Sequence, residues 1–377
     1  MKIVYIIDWL DNSGGKERVI STKANYLAET NDVYIVCIKG EEHFFPLSEK
    51  INLIGLNLDF KRLYSFNFVK KQFKAHFLKK QLKRKLNEIL HKIKADIVIS
   101  TYSSEMSIVP SIEDGSRKIL ENHFCKGVKL TDARFSRKNF IVNFLLAFKE
   151  WHECKFKIPI YDRFVVLSEQ DKSEWKKCGV NATCIYNPLP FVSEQTADLN
   201  SKIAISVGRL ETPKNYSCLI EIWAIIHEKF SDWKLNIFGE GNQKNMLKDQ
   251  IEKLNLQGIV NILPPERNII TRYLESSLYL ATSCYEGFLL TLAEAFECGL
   301  PVVSFDIKCG PNEIVQNGEN GFLIEFDNKK DFAEKAMSLM ENRDLRNRFG
   351  KSAKQRAKKF RIENIMPQWE KLLKGEI

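Results

Sequence analysis

Short β-branched runs alternate with longer stretches of helical period from one end of the chain to the other. In the first half the strand-like runs are 2–8, 33–38, 51–56, 96–101, 117–121 and 163–167. In the second they are 203–207, 234–238, 259–263, 278–282, 301–305 and 321–326. Between them, helical spacing predicts helices over 16–29, 170–178, 215–230, 243–255, 289–298, 328–341 and 343–359. Strands that alternate with helices predict parallel sheets covered on both faces. The alternation runs twice, each time from an apolar strand into a glycine or polar turn, so the pattern predicts an α/β protein of two doubly wound, Rossmann-like domains. The polar run from Phe191 to Asn200 follows Asn187-Pro188-Leu189-Pro190 and predicts a linker at 191–201, between an N-terminal domain over 1–190 and a C-terminal domain over 202–361.

A length of 377 residues suits two domains, and 44% hydrophobic with 28% charged residues excludes collagen-like, low-complexity and disordered classes. The formal charge of +9 is unevenly spread. Residues 1–190 hold 32 basic and 22 acidic side chains, whereas 191–377 hold 25 and 26, so the surplus belongs to the first half. Nine cysteines, an odd number without a C-x-x-C, predict reduced and mostly buried thiols in a cytoplasmic protein. The first residues lack the design of a signal peptide, and the longest apolar stretch elsewhere, 140–148, falls far short of the about 20 residues a membrane span needs. The expectation is a chain that crosses no bilayer.

In doubly wound sheets ligands bind at the carboxyl ends of strands, beside helix N-termini, so chemistry is sought in the strand-to-helix turns. After the first strand, Asn12-Ser13-Gly14-Gly15-Lys16-Glu17-Arg18 offers backbone N–H groups to an anion, or simply makes a tight turn. The second half opens with Val207-Gly208-Arg209-Leu210 followed by Lys214; a guanidinium and an ammonium from one turn suit a diphosphate, and equally describe two solvated surface charges. The densest constellation is Glu286-Gly287-Phe288-Leu289 with Glu294 in the following helix. The Phe288 and Leu289 amides can cap an anion while Glu286, which would repel a phosphate, is better aimed at sugar hydroxyls. Glu297, a third acid on that helix, reads as a solvated residue. No His/Cys cluster has zinc spacing and no D-x-D ends a strand, so no metal or other cofactor is expected.

Taken together, Gly14-Gly15-x-Glu17-Arg18, Val207-Gly208-Arg209 with Lys214, Glu286-Gly287-Phe288 with Glu294-Ala295, and Gly299-x-Pro301-Val302-Val303 resemble glycosyltransferase family 4, in order and over nearly the whole chain. Asp162-Arg163-Phe164, Asn187-Pro188, Phe238-Gly239-Glu240-Gly241 and Asn320-Gly321-Phe322-Leu323 echo the same family. The resemblance implies the GT-B fold, two domains facing a central cleft, and a retaining, nucleotide-sugar-dependent hexosyltransferase without metal. It implies that the Gly15 N–H meets the donor diphosphate, that Arg209 and Lys214 stabilise the leaving nucleoside diphosphate, and that Glu286 holds hydroxyls of the transferred sugar. It also implies phosphate contact at Phe288 and Leu289, ribose contact at Glu294, and the nucleobase near the turn Leu263 to Arg267. His123, in Glu121-Asn122-His123, matches a histidine of the family's sugar site; by itself it is as readily structural. Leu289 stands where the family often has a second glycine, which reshapes the sugar pocket. Cys309-Gly310-Pro311-Asn312-Glu313 resembles members that use UDP-hexoses for bacterial surface glycans. The resemblance also implies a C-terminal helix near 360–372 that returns residues 362–377 to the first domain.

Residues 61–94 hold 12 Lys/Arg and one acid, Glu88, with Phe73, Phe77, Leu82, Leu86, Leu90 and Ile93 near helical spacing. A solvated helix, an anionic membrane surface and nucleic acid are the competing readings of this stretch. A glycan acceptor on a lipid diphosphate favours the membrane over nucleic acid, and places the protein in the cytoplasm, peripheral on the inner face of the cell membrane. The segment 134–157, which mixes Phe140, Phe144, Leu145, Trp151 and Phe156 with lysine and arginine, would add an interfacial contact. The leading expectation is transfer of a hexose or N-acetylhexosamine from a UDP-sugar to a glycan or lipid-linked oligosaccharide. A nucleotide-sugar epimerase of the same architecture and a non-enzymatic basic surface-binding protein are the alternatives. A nicotinamide dehydrogenase is disfavoured, since neither half carries a full G-x-G-x-x-G with its ribose-binding acid.

Overall fold

The computed structural model describes the backbone of residues 1–60, 68–128 and 140–377, and the side chains of 1–60, 73–128 and 141–377. Two compact units result, Met1–Ile185 with Trp369–Ile377, and Tyr186–Gln368.

The first unit is a parallel sheet of seven strands in the order β3-β2-β1-β4-β5-β6-β7. The strands are β1 (Lys2–Ile7), β2 (Asp32–Cys37), β3 (Asn52–Gly55), β4 (Ile97–Ser100), β5 (Arg117–Glu121), β6 (Arg163–Val166) and β7 (Thr183–Cys184). β1 is central: Val4 pairs with Tyr34 on one side and Val98 on the other. Burial on both faces is why Ile3 through Ile7 form an unbroken apolar run rather than an alternating one. Helix α1 (Gly15–Leu27) crosses from β1 to β2. Helix α2 (Phe68–Ile93) buries Leu82, Leu86 and Leu90 against the sheet but leaves Phe73 and Phe77 exposed. The apolar series expected on one packed face therefore splits, its C-terminal half in the core and the two phenylalanines in solvent. Helix α3 (Phe140–His152) exposes Phe144, Leu145, Phe148 and Trp151. Residues 61–67 of the basic stretch and 129–139, which hold Arg137 and Lys138, lie outside the described residues. Among the described residues no helix is long and apolar enough to cross a membrane.

The second unit is a parallel sheet of six strands, ordered β10-β9-β8-β11-β12-β13. These are β8 (Ile203–Val207), β9 (Lys234–Phe238), β10 (Val260–Leu263), β11 (Leu278–Ala281), β12 (Val302–Asp306) and β13 (Gly321–Glu325). Helices α4 (Glu169–Lys176) in the first unit and α10 (Lys329–Glu341) and α11 (Arg343–Ala357) in the second begin at Ser168, Asn328 and Asn342. Each of these caps accepts the backbone N–H three residues on, the local chemistry that starts a helix there. Between α4 and α10 run α5 (Tyr216–His227), α6 (Lys244–Lys253), α7 (Ile270–Leu274), α8 (Leu290–Glu297) and α9 (Pro311–Ile314).

Residues 191–201 form no element but are stitched into the second unit. Ser193 N–H donates to Glu297 Oε1 at 3.1 Å, Ala197 N–H to Cys298 O at 2.8 Å, and Arg346 Nε to Leu199 O at 3.1 Å. Glu297, read from the sequence as a solvated acid, is fully buried and held by the Arg361 fork at 2.8 and 3.0 Å. The charge is tolerated because a guanidinium and a backbone N–H satisfy both oxygens. Helix α12 (Ile362–Lys374) contains Pro367, and the chain passes to the first unit at Trp369. There Arg117 donates to the carbonyls of Leu373 and Leu372, and Tyr26 to Glu370 at 3.2 Å.

Just past β4, Glu105 is fully buried and its Oε1 accepts from Ser100 Oγ, Thr101 N and Ser103 N at 2.7, 3.0 and 3.2 Å. Burial, and then the neighbouring Asp8, push its carboxyl up to about 7. An acid whose folded value is raised favours folding fully below its unfolded value, near 4.3, and loses that contribution as pH rises through the folded value. Glu105→Gln removes this dependence. Its thermal midpoint should match the native protein near pH 4 and exceed it near pH 8, by an amount worth on the order of 3 kcal/mol. Parallel midpoint-against-pH curves for the two proteins would contradict this assignment.

Candidate functional site

In both sheets the strand order reverses direction at one point, between β1 and β4 and between β8 and β11. Connections leave such a pair toward opposite sides and open a crevice at the carboxyl ends. In the second unit this crevice receives the turn after β8 and the loop after β11.

The turn after β8 passes Gly208 and Arg209, closes a short 3₁₀ helix over Thr212–Lys214, and enters α5 through Asn215, whose φ of +53° is left-handed. Asparagine tolerates that conformation better than most residues. Gly208 is required by space: a Cβ there would stand 2.8 Å from Lys214 Cε and 2.9 Å from Tyr216 Oη. The absent side chain lets Lys214 lie across the strand end, where Nζ meets Glu286 Oε1 at 2.6 Å. Ser283 Oγ donates to the same oxygen at 2.8 Å, and Thr282 Oγ1 donates to Lys214 O at 3.2 Å and Asn215 O at 3.1 Å. Cys284 N–H donates to Pro213 O at 2.8 Å, tying the two loops together through the backbone. From the other side comes the turn of Cys309 and Gly310, with φ of +60° and +89°. A Cβ on Gly310 would lie 3.2 Å from Glu286 Cβ and 3.4 Å from Leu289 N, and a side chain at that φ would also be strained.

The structure thus brings Lys214 and Glu286 into direct contact, with Phe288 and Leu289 buried just ahead of α8. Arg209 leaves the same turn half exposed and pairs with Glu211 at 3.1 Å, so the two cations expected together each rest on a carboxylate of their own. Glu294, one turn into α8, is fully buried and accepts from Tyr273 Oη at 3.0 Å. Arg267 is exposed on the loop after β10, an edge strand two places from β8.

Gly15 and His123 belong to the first unit. Gly15 opens α1 with no atom within 4 Å of where its Cβ would stand, whereas a Cβ on Gly14 would stand 2.2 Å from Glu17 Oε2. A carboxylate of the chain itself therefore folds back on the start of that helix. His123, two residues past the end of β5, is buried beside Glu121 and Lys23. Sequence reasoning missed Ser283, Tyr273, Lys23 and Glu121. Ser283 was the most accessible of these, as a hydroxyl directly after a strand at the order reversal; Tyr273 is distant in sequence from Glu294, and Lys23 from Glu121.

Residues 191–356 match the family model of glycosyl transferases group 1. An uncharacterized glycosyltransferase of Haemophilus influenzae is 29% identical over 378 residues, covering 99% of both chains. A Campylobacter jejuni alpha-1,4-N-acetyl-D-galactosaminyltransferase, whose name carries GalNAc-alpha-(1->4)-GalNAc-alpha-(1->3)-diNAcBac-PP-undecaprenol, is 24% identical over 99% of this chain and 98% of its own. Among solved structures, Anabaena HepE in complex with UDP covers all of both chains at 16% identity with a TM-score of 0.73, a likeness of fold. The chain is therefore a glycosyltransferase of the GT-B fold. The residues that match the group 1 model lie in the second unit, where Lys214 and Glu286 meet.

Tyr273→Phe deletes one hydrogen bond to the buried Glu294 carboxylate. Urea unfolding should show a loss of about 1–3 kcal/mol, the cost of leaving a buried acceptor short of a donor. An unchanged midpoint would mean that Glu294 has other support of equal strength.

Proposed function

We propose that the protein is a retaining enzyme of glycosyltransferase family 4 that moves a hexose or N-acetylhexosamine from a UDP-sugar onto a glycan or lipid-linked oligosaccharide, in the synthesis of a bacterial surface polysaccharide. The observation that carries this reading is the Lys214–Glu286 contact at 2.6 Å where the strand order reverses. A lone carboxylate there would repel a diphosphate. Paired with Lys214, it can face sugar hydroxyls while the ammonium meets the phosphates.

In this reading Lys214 and Arg209 stabilise charge on the departing nucleoside diphosphate, each contribution of this kind being worth about 10²–10³ in rate. Glu286, steadied by Ser283, accepts from hydroxyls of the transferred sugar. The Phe288 and Leu289 amides meet phosphate, Glu294 the ribose, and Arg267 the region of the base. Gly15 and His123 take the diphosphate and sugar contacts that the family resemblance implies. The glycosidic C1–O bond to UDP breaks as the acceptor oxygen bonds to C1 on the same face. The acceptor proton passes to the departing phosphate oxygen, so retention needs no enzymic nucleophile. With cationic side chains doing the charge work, no metal is required.

The Campylobacter relative's name includes a polyprenyl diphosphate, and this supports an acceptor held at a membrane. Exposed Lys74, Lys79, Lys80, Lys83 and Arg84 on α2, with exposed Phe73 and Phe77, suit an anionic lipid surface, as do the apolar side chains of α3. The protein would then work in the cytoplasm, peripheral on the inner face of the membrane.

Two measurements test this. UDP should raise the thermal midpoint by mass action, more than GDP or ADP at equal concentration, and Lys214→Ala should abolish the shift. Flat responses to all three nucleotides would remove the transferase reading of the site. Vesicles containing phosphatidylglycerol should carry the protein upward on flotation at low salt and release it at 0.5 M NaCl; equal binding to neutral vesicles would remove the electrostatic part.

A further inference from the structure

Lys23 is a fully buried lysine on α1, and both oxygens of Glu121, the last residue of β5, accept from its Nζ at 2.5 and 2.6 Å. The Trp369 ring covers the ammonium, with Nζ 3.8 Å from the ring centroid, and the Tyr5 ring lies 5.5 Å away on the β1 side. Burying such a pair costs more than its attraction returns in many proteins, so its presence needs a reason. Two residues beyond Glu121, His123 Nε2 stands 3.5 Å from Glu121 Oε1. Among the described residues neither ring nitrogen of His123 has a hydrogen-bond partner, although both are buried. A carboxylate this close to an imidazole ordinarily draws a proton onto it. Here that carboxylate is already engaged twice by Lys23.

We propose that Lys23 is a positioning residue for His123. By offsetting the charge of Glu121 with its own it keeps the imidazole uncharged, so that His123 meets a sugar hydroxyl with one ring nitrogen able to donate and the other able to accept. The inference rests on the reading of His123 as a sugar contact. The charge count agrees: Lys23 and Glu121 cancel, and a proton on the buried His123 would add an unbalanced positive charge where Lys16 already acts on it. Burial lowers the His123 value from its ordinary range, Glu121 opposes this, and Lys23 and Lys16 add to the lowering. For Glu121, burial works upward but Lys23 and then His123 outweigh it and hold the carboxyl at about 2.

Side-chain NMR of the histidine rings in the full chain, with His123 assigned through His123→Gln, decides the matter. In the native protein His123 should be neutral at pH 7 and titrate below the ordinary value of about 6.5. In Lys23→Met the freed Glu121 should raise that midpoint by at least one pH unit, a tenfold change in proton affinity. The acid limb of kcat/KM should move with it. A charged His123 in the native protein at pH 7, or an unmoved midpoint in folded Lys23→Met, would overturn the proposal. Should Lys23→Met not fold, the double variant with Glu121→Gln removes both charges together; its midpoint should stay low, and a rise there would overturn the role given to Glu121. Full transfer activity in His123→Ala would sink the sugar contact instead, while the NMR midpoints still decide whether Lys23 sets the charge.

Discussion

Parallel strands are joined by right-handed crossovers, so where the strand order reverses, the connections on the two sides must run over opposite faces. β8 meets this constraint with β9 on one side and β11 on the other, and β1 meets it with β2 and β4. The chain must leave the two strand ends in opposite directions, and the gap at their carboxyl ends is the consequence. Everything chemical in the second unit follows from what fills that gap. The turn after β8 delivers Lys214 and the loop after β11 delivers Glu286, so two residues 72 apart in sequence form one ion pair. Gly208 and Gly310 mark where Lys214 and Tyr216 on one side, and Glu286 and Leu289 on the other, come close to where a side chain would start.

Buried charge is the second theme, and the protein meets its cost by different means. Glu297 is fully satisfied, by Arg361 and the Ser193 amide, and holds residues 191–201 onto the second unit. Glu121 is satisfied by Lys23, with an aromatic ring covering the ammonium. Glu105 has three donors on one oxygen but, among the described residues, no cation bonded to it, and its carboxyl rises to about 7. Burial pushes both Glu121 and Glu105 upward; what differs between these two is whether a cation was brought alongside.

Much of the architecture was legible because parallel strands are buried on both faces and therefore write long apolar runs. Twelve strands could be read in this way, from the run at β1 to the one at β13. β7 escaped because Thr183–Cys184 is only two residues long, held at the sheet edge by pairing with β6. Helix α2 was visible in its period, but its first half exposes Phe73 and Phe77, which periodicity alone assigns to the core. Glu297 was misread for the opposite reason, since nothing near it in sequence announces Arg361.

The sequence by itself determined the two doubly wound halves, the strand-to-helix turns that matter and the residue types carried on them. Those are local properties, written in period, glycine placement and the order of motifs. Only the tertiary structure decided which charges meet: Lys214 with Glu286, Arg209 with Glu211, Lys23 with Glu121, Arg361 with Glu297. Three of these four pairs join residues 64 or more apart, the Arg209 pair alone being local. Charge pairing depends on distances of a few ångströms, and those are set by how strands and helices pack rather than by how residues follow one another.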